Sequence, residues 1–139
     1  MIAEAMVDTN VLVYAASRLP EDRGKAGAAR SVLQTPGIGL STQVMQEFLS
    51  VTTRKVRQVW SLDDALDWIE ALENFPCIPI DPALVRQGAE IAIRHHLSYW
   101  DGAILAAAHR LGASTLYTED LNHDQTYGSV RVVNPFRAN

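Results

Sequence analysis

Short apolar runs alternate with helix-patterned stretches along the whole of this 139-residue chain, and that alternation most narrows what it can fold into. Residues 3–8, 38–40, 77–80, 114–117 and 130–133 have the length and side chains of strands. Between them lie helical patterns, several with start signals: Asn10 as a cap, Ser61 with Asp64, Asp81-Pro82, and Ser98 with Asp101. Strands that alternate with helices form a parallel sheet covered on both faces. The expected fold class is therefore α/β, a three-layer α/β/α sandwich around a four- to five-stranded parallel sheet. The stretch 99–111 sharpens this, because it is apolar nearly all round and is closed by Gly112. Such a helix is expected to be central and buried. Residues 84, 85, 88, 89, 91 and 92 are likewise expected to form the inner face of the helix before it.

The length predicts a single domain over 1–139, large enough for its own core. No stretch reads as a membrane span or a secretory signal, so a cytoplasmic protein with no membrane partner is expected. One cysteine, Cys77, excludes an internal disulfide and reads as a small core residue of a strand. The net charge of −4 argues against a protein that holds nucleic acid by bulk electrostatics. It leaves room for an enzyme acting on nucleic acid through bound cations.

Four acids are poorly explained by packing. Asp8 closes the first apolar run, at the strand end where open α/β sheets bind ligands. It also fits an N-cap or Asx-turn. Glu47 shares a helical face with Val44, Phe48 and Val51, where a carboxylate needs a distant Arg or a metal. Asp101 opens the apolar helix, and Ser98 gives it a capping explanation as well. Asp120 follows the strand 114–117, with Glu119 competing for the same role. Carboxylates gathered from distant segments without a matching basic set repel one another unless a cation neutralises them. Hard oxygen donors suit Mg²⁺ or Mn²⁺, and metal-assisted phosphodiester hydrolysis is the corresponding chemistry.

In order along the chain, Val7-Asp8-Thr9-Asn10-Val11-Leu12, Gln43-Val44-Met45-Gln46-Glu47-Phe48, Leu97-Ser98-Tyr99-Trp100-Asp101-Gly102-Ala103-Ile104 and Leu116-Tyr117-Thr118-Glu119-Asp120-Leu121 resemble the four motifs of PIN-domain ribonucleases. They are most similar to the VapC-type toxins of type II toxin–antitoxin pairs. The resemblance covers nearly the whole chain. It implies a PIN-like fold and a Mg²⁺- or Mn²⁺-dependent endoribonuclease. It further implies a homodimer held in check by a cognate antitoxin. It assigns Asp8, Glu47, Asp101 and Asp120 as catalytic metal ligands, with Thr9, Asn10, Ser98 and Thr118 in support.

Arg54, Lys55, Arg57 and Trp100 are candidates for RNA contact, with Arg86 or Arg94 as further cations. Their alternatives are solvated helix ends for the cations and core packing for Trp100. Two other function classes stay open. An aspartyl-phosphate phosphotransferase would use Asp8 as nucleophile, but no second Asp stands two residues on and no Lys follows a late strand. A protein-interaction module would keep the fold without the chemistry.

Overall fold

The computed structural model describes residues 2–54 and 60–137. The chain runs β1 (Ala5–Val7), α1 (Thr9–Ala16), a 3₁₀ turn (Pro20–Asp22), α2 (Arg23–Gln34), β2 (Ile38–Ser41), α3 (Thr42–Arg54), α4 (Leu62–Leu72), β3 (Cys77–Ile78), α5 (Pro82–His95), α6 (Tyr99–Leu111), β4 (Thr115–Tyr117), β5 (Thr126–Tyr127) and β6 (Val130–Val133). The strands form one sheet in the order β3-β2-β1-β4-β6-β5. β1 is parallel to both β2 and β4, with Met6 opposite Gly39 on one side and Leu116 on the other. Only β5 is antiparallel, folding back on β6.

The α/β/α sandwich around a mostly parallel sheet is as expected, with six strands in place of four or five. The extra strand, β5, is joined to β6 through Gly128-Ser129, and Gly128 takes a positive φ of 61°. A Gly-Ser pair is a hairpin signal, but two residues are too short a strand to show a side-chain period.

α6 is the central helix its composition demanded. It packs on β1, β2, β3, β4 and β6, and Gly102 through Ala108 and Leu111 are all buried. α5 packs on α6, where a Cβ on Gly102 would strike the Gly88 carbonyl and come within 2.9 Å of Ala92. Because Gly88 and Ala92 make this contact, the opposite face of α5 stays outside. Val85, expected within the core, is 44% exposed. On the other side α1 packs on α2 and α3, and α3 on α4, over Val11, Leu12, Val44, Phe48 and Leu72. Val51 turns outward from that layer.

One capping expectation is corrected. Asp8, not Asn10, is the N-cap of α1, and Asn10 sits inside its first turn. Ser61, Asp81 and Ser98 cap α4, α5 and α6 as expected, each accepting from the backbone N–H three residues on. Cys77 is half-buried against Met45, and burial pushes its thiol pKa up, away from thiolate chemistry. Among the described residues no helix is long and apolar enough to cross a membrane.

Candidate active site

The chain leaves β1 on one side toward β2 and β3 and returns on the other side as β4. The carboxyl ends of β1 and β4 therefore flank a topological switch point, where β1 continues into α1 and β4 into a loop, leaving a crevice between them. Asp8 follows β1 and Thr118-Glu119-Asp120 follows β4. The Asp8 N–H donates to the Tyr117 carbonyl at 3.0 Å, which locks the two strand ends in register. Asp101 enters from the first turn of α6, which runs antiparallel to β4, and Glu47 enters from α3.

Asp8 is 7% exposed and held at both oxygens. Its Oδ1 accepts from the Thr9 N–H at 2.7 Å and its Oδ2 from the Thr118 hydroxyl at 2.8 Å. Thr118 Oγ1 in turn accepts from the Asn10 amide and from the Asp120 N–H, both at 3.1 Å. The same Asn10 amide reaches Asp120 Oδ2 at 3.2 Å. One buried hydroxyl and one amide thus tie Asp8 to Asp120. Glu47 is half-buried and fastened from two helices, by the Thr9 hydroxyl at 3.0 Å and the Gln43 amide at 2.8 Å. Gln43, 4% exposed, is the site residue that sequence reasoning missed. Its signal was a buried amide one turn before Glu47 on the same face.

Asp101 takes part electrostatically, since its charge raises the pKa of Asp120. Its carboxylate has no hydrogen-bond partner among the described residues; Ser98 acts on it only through the backbone cap. Burial is the main reason Asp8 is pushed up from 3.8 to about 6, with the charges of Asp120 and Glu47 adding to it. Asp120 is also raised, first by partial burial and then by Glu119, Asp101 and Glu47.

Glu119 points elsewhere. It pairs with Lys25 at 3.3 Å, and Lys25 also donates to the Tyr14 hydroxyl at 3.2 Å and lies over the Tyr14 and Phe136 rings. Of the two competing acids it is Asp120 that joins the Asp8 network. No Lys or Arg among the described residues pairs with Asp8, Glu47, Asp101 or Asp120, which are left uncompensated.

Oxygen donors alone, in excess negative charge, suit a hard divalent cation and nothing softer. The donor set fits such an ion by chemistry. Even so, among the described residues no three acids, His or Cys converge closely enough to count as a finished coordination sphere. Hydrogen bonds from hydroxyls and amides occupy both oxygens of Asp8 and Glu47 and one of Asp120 instead.

The expected RNA contacts divide. Trp100 is 65% exposed beside Asp101, and with Gln43, Gln46, Glu47 and Ser50 it lines a cavity of about 510 Å³. Arg54 folds back on Ser50 of its own helix. Arg86 faces Glu90 on exposed α5, and Arg94 lines a separate cavity of about 210 Å³ with His95, His109 and Tyr127. Lys55 and Arg57 lie outside the described residues.

A family model described as PIN domain matches residues 5–129. None of the curated proteins compared with the chain matches it. Among solved structures, a toxin–antitoxin complex from Klebsiella pneumoniae is similar with a TM-score of 0.67 at 22% identity, over 95% of this chain and 98% of that one. FitAcB from Neisseria gonorrhoeae gives 0.62 at 21% identity, over 96% and 99%. The sarcin–ricin loop cleaving toxin VapC20 of Mycobacterium tuberculosis gives 0.65 at 18% identity, over 84% and 92%. At these identities the likeness concerns the fold.

Proposed function

The chain belongs to the PIN-domain family, and on that premise we propose that it is a Mg²⁺- or Mn²⁺-dependent endoribonuclease, the toxin of a toxin–antitoxin pair. What carries the reading is the crevice at the carboxyl ends of β1 and β4. There Asp8, Glu47 and Asp120 are linked through Thr9, Asn10 and Thr118, Asp101 adds its charge, and no basic side chain offsets them. The four acids would hold the ion. When bound, it supplies Lewis-acid polarisation of a phosphate oxygen and neutralises charge on the scissile group.

The protein's own part is positioning. Thr118 and the Thr9 N–H fix the Asp8 carboxylate in one rotamer, Gln43 and Thr9 fix Glu47, and Asn10 keeps Asp120 within reach. These bonds orient three of the four acids before the ion and substrate arrive, and the carboxylates would draw together on the ion. Lys25 keeps Glu119 out of the cluster. The toxin–antitoxin complex that shares the fold supports a protein partner, and the reading places this chain in the cytoplasm as a homodimer. Exposed Leu62 and Leu66 on α4, with Val85 and Ile93 on α5, offer apolar surface for those contacts.

A phosphotransferase would need a cation facing Asp8. Lys25, which pairs with the neighbouring Glu119, is committed to that residue and to Tyr14, which disfavours that reading.

The test is cleavage of a mixed RNA pool by the pure protein in Mg²⁺, in Mn²⁺ and in EDTA, beside Asp8→Asn and Asp101→Asn. Metal-dependent cutting that both substitutions abolish is the expected result. Equal residual cutting by all three proteins would mark a contaminant and remove the reading.

A further inference from the structure

We infer that the cavity beside Glu47 is a nucleobase subsite, in which Trp100 stacks an unpaired base of the RNA next to the cleaved phosphate and Gln46 reads its edge. This rests on the ribonuclease reading and adds to it the place where base identity is sensed.

Trp100 is 65% exposed, while Trp60 is 5% exposed and Trp68 packs with Phe48 and Trp60 in the interior. Of the three indoles, only this one is spent on the surface. Leaving so large an apolar ring in water forgoes the stabilisation that burial would bring. Its orientation is nevertheless set: the Tyr99 ring packs edge-on against it with centroids 5.1 Å apart. A rigid, open aromatic face is what sequence-tolerant base stacking uses.

The rest of the lining is polar in a particular way. Gln43 and Ser50 are already committed, to Glu47 and to Arg54 respectively. Gln46 is exposed and its amide has no hydrogen-bond partner among the described residues. A primary amide carries a donor and an acceptor side by side, the pair needed for the hydrogen-bonding edge of a base. About 510 Å³ lies within the range of small-ligand clefts, roughly 300–1,000 Å³. Glu47 lines this cavity and belongs to the acid cluster, so a base seated there belongs to a nucleotide adjoining the reacting phosphate. That continuity selects an RNA base as the occupant over a segment of protein.

The first arm of the test is independent of catalysis. The intact protein in EDTA is titrated with each of the four ribonucleoside 5′-monophosphates while tryptophan emission is followed. Saturable quenching that differs among the four bases, survives in Trp100→Phe as binding by calorimetry and vanishes in Trp100→Ala is expected. The second arm is RNA cleavage. Trp100→Ala should lose about 5- to 150-fold in kcat/KM, the span of base–aromatic stacking, with the Mg²⁺-induced rise in Tm unchanged. Trp100→Phe should restore most of it, and Gln46→Ala should shift the base preference at the cut.

Wild-type-like cleavage by Trp100→Ala with no quenching by any nucleotide would overturn the subsite and leave the ribonuclease reading standing. So would a shift of Trp100→Ala from dimer to monomer in sedimentation without quenching, which would assign the face to contact between copies. If the wild type cuts no RNA, the ribonuclease reading fails on its own. Base-dependent quenching would still support the subsite in that case, and its absence would overturn it.

Discussion

Replacing Asp8 by Asn removes a negative charge that burial makes costly, and the cost can be read from its titration. The Asp8 carboxyl moves from 3.8 to about 6, a difference of roughly 2 pH units, which at ~1.36 kcal/mol per unit is about 3 kcal/mol. The sign follows from proton binding. Between pH 4 and 6 the folded protein holds a proton on Asp8 that the unfolded chain has released, so stability falls as pH rises through that window. Below it the group is neutral in both states and costs nothing, and above it the full cost is present. The substituted amide can still accept from the Thr9 N–H. Its NH₂ would meet Thr118 Oγ1, which already accepts from Asn10 and Asp120, at a pH-independent cost of about 1 kcal/mol. In EDTA, Asp8→Asn is therefore expected to be slightly less stable than wild type at pH 4 and more stable by about 2 kcal/mol at pH 7.5. At roughly 3–4 °C per kcal/mol for a chain of this length, the difference in Tm swings by about 10 °C across the window. Differential scanning calorimetry of both proteins at matched pH measures it, and the comparison cancels exposed groups such as Asp81 and Asp124, whose lowered pKa values act in the opposite direction. Mg²⁺ should then raise the Tm of wild type and leave that of Asp8→Asn unchanged. Parallel Tm curves from pH 4 to 7.5 would refute the claim that an uncompensated, desolvated carboxylate sits at this strand end.

Other expectations follow from the same network and its frame. Thr118→Val keeps the shape but takes the hydroxyl from Asp8 Oδ2 and the acceptor from the Asp120 N–H, so a loss of about 1–3 kcal/mol in urea unfolding and a fall in cleavage rate are expected. Asp120→Asn should abolish cleavage and the Mg²⁺-induced Tm shift, while Glu119→Gln, which loses only the Lys25 pair, should retain both. The reverse pattern would mean that the wrong acid has been placed in the site. Gly102→Ala should cost about 3 kcal/mol in chemical denaturation, because backbone of α5 stands where the methyl would go. A neutral outcome would show that α5 and α6 separate more readily than their packing implies.

Much of the fold was legible in the chain. Helix termini announce themselves locally, since a Ser or Asp side chain that caps a helix bonds a backbone N–H only three residues away, as at Ser61, Asp81 and Ser98. α6 declared its central place because a helix without a polar face has nowhere else to go. What escaped was short or two-sided. β5 is too brief for any periodicity. Val51 and Val85 look like core residues by spacing, and they face outward only because α3 and α5 each have a single neighbouring layer.

The candidate site divides along the same line. By itself the sequence determined which acids are anomalous, because an acid on an apolar face or at the end of a buried strand is a local contradiction of patterning. It also determined their chemistry, since oxygen donors and excess charge belong to composition. Only the tertiary structure decided which of them meet. Whether Asp120 or Glu119 turns toward Asp8 depends on Asn10 and Lys25, each about a hundred residues away along the chain. Gln43 gains its role from Glu47, which in turn is held by Thr9 across two helices. Such choices come from long-range pairing: a side chain takes the rotamer that satisfies its buried partners, and those partners exist only once β1 and β4 lie side by side.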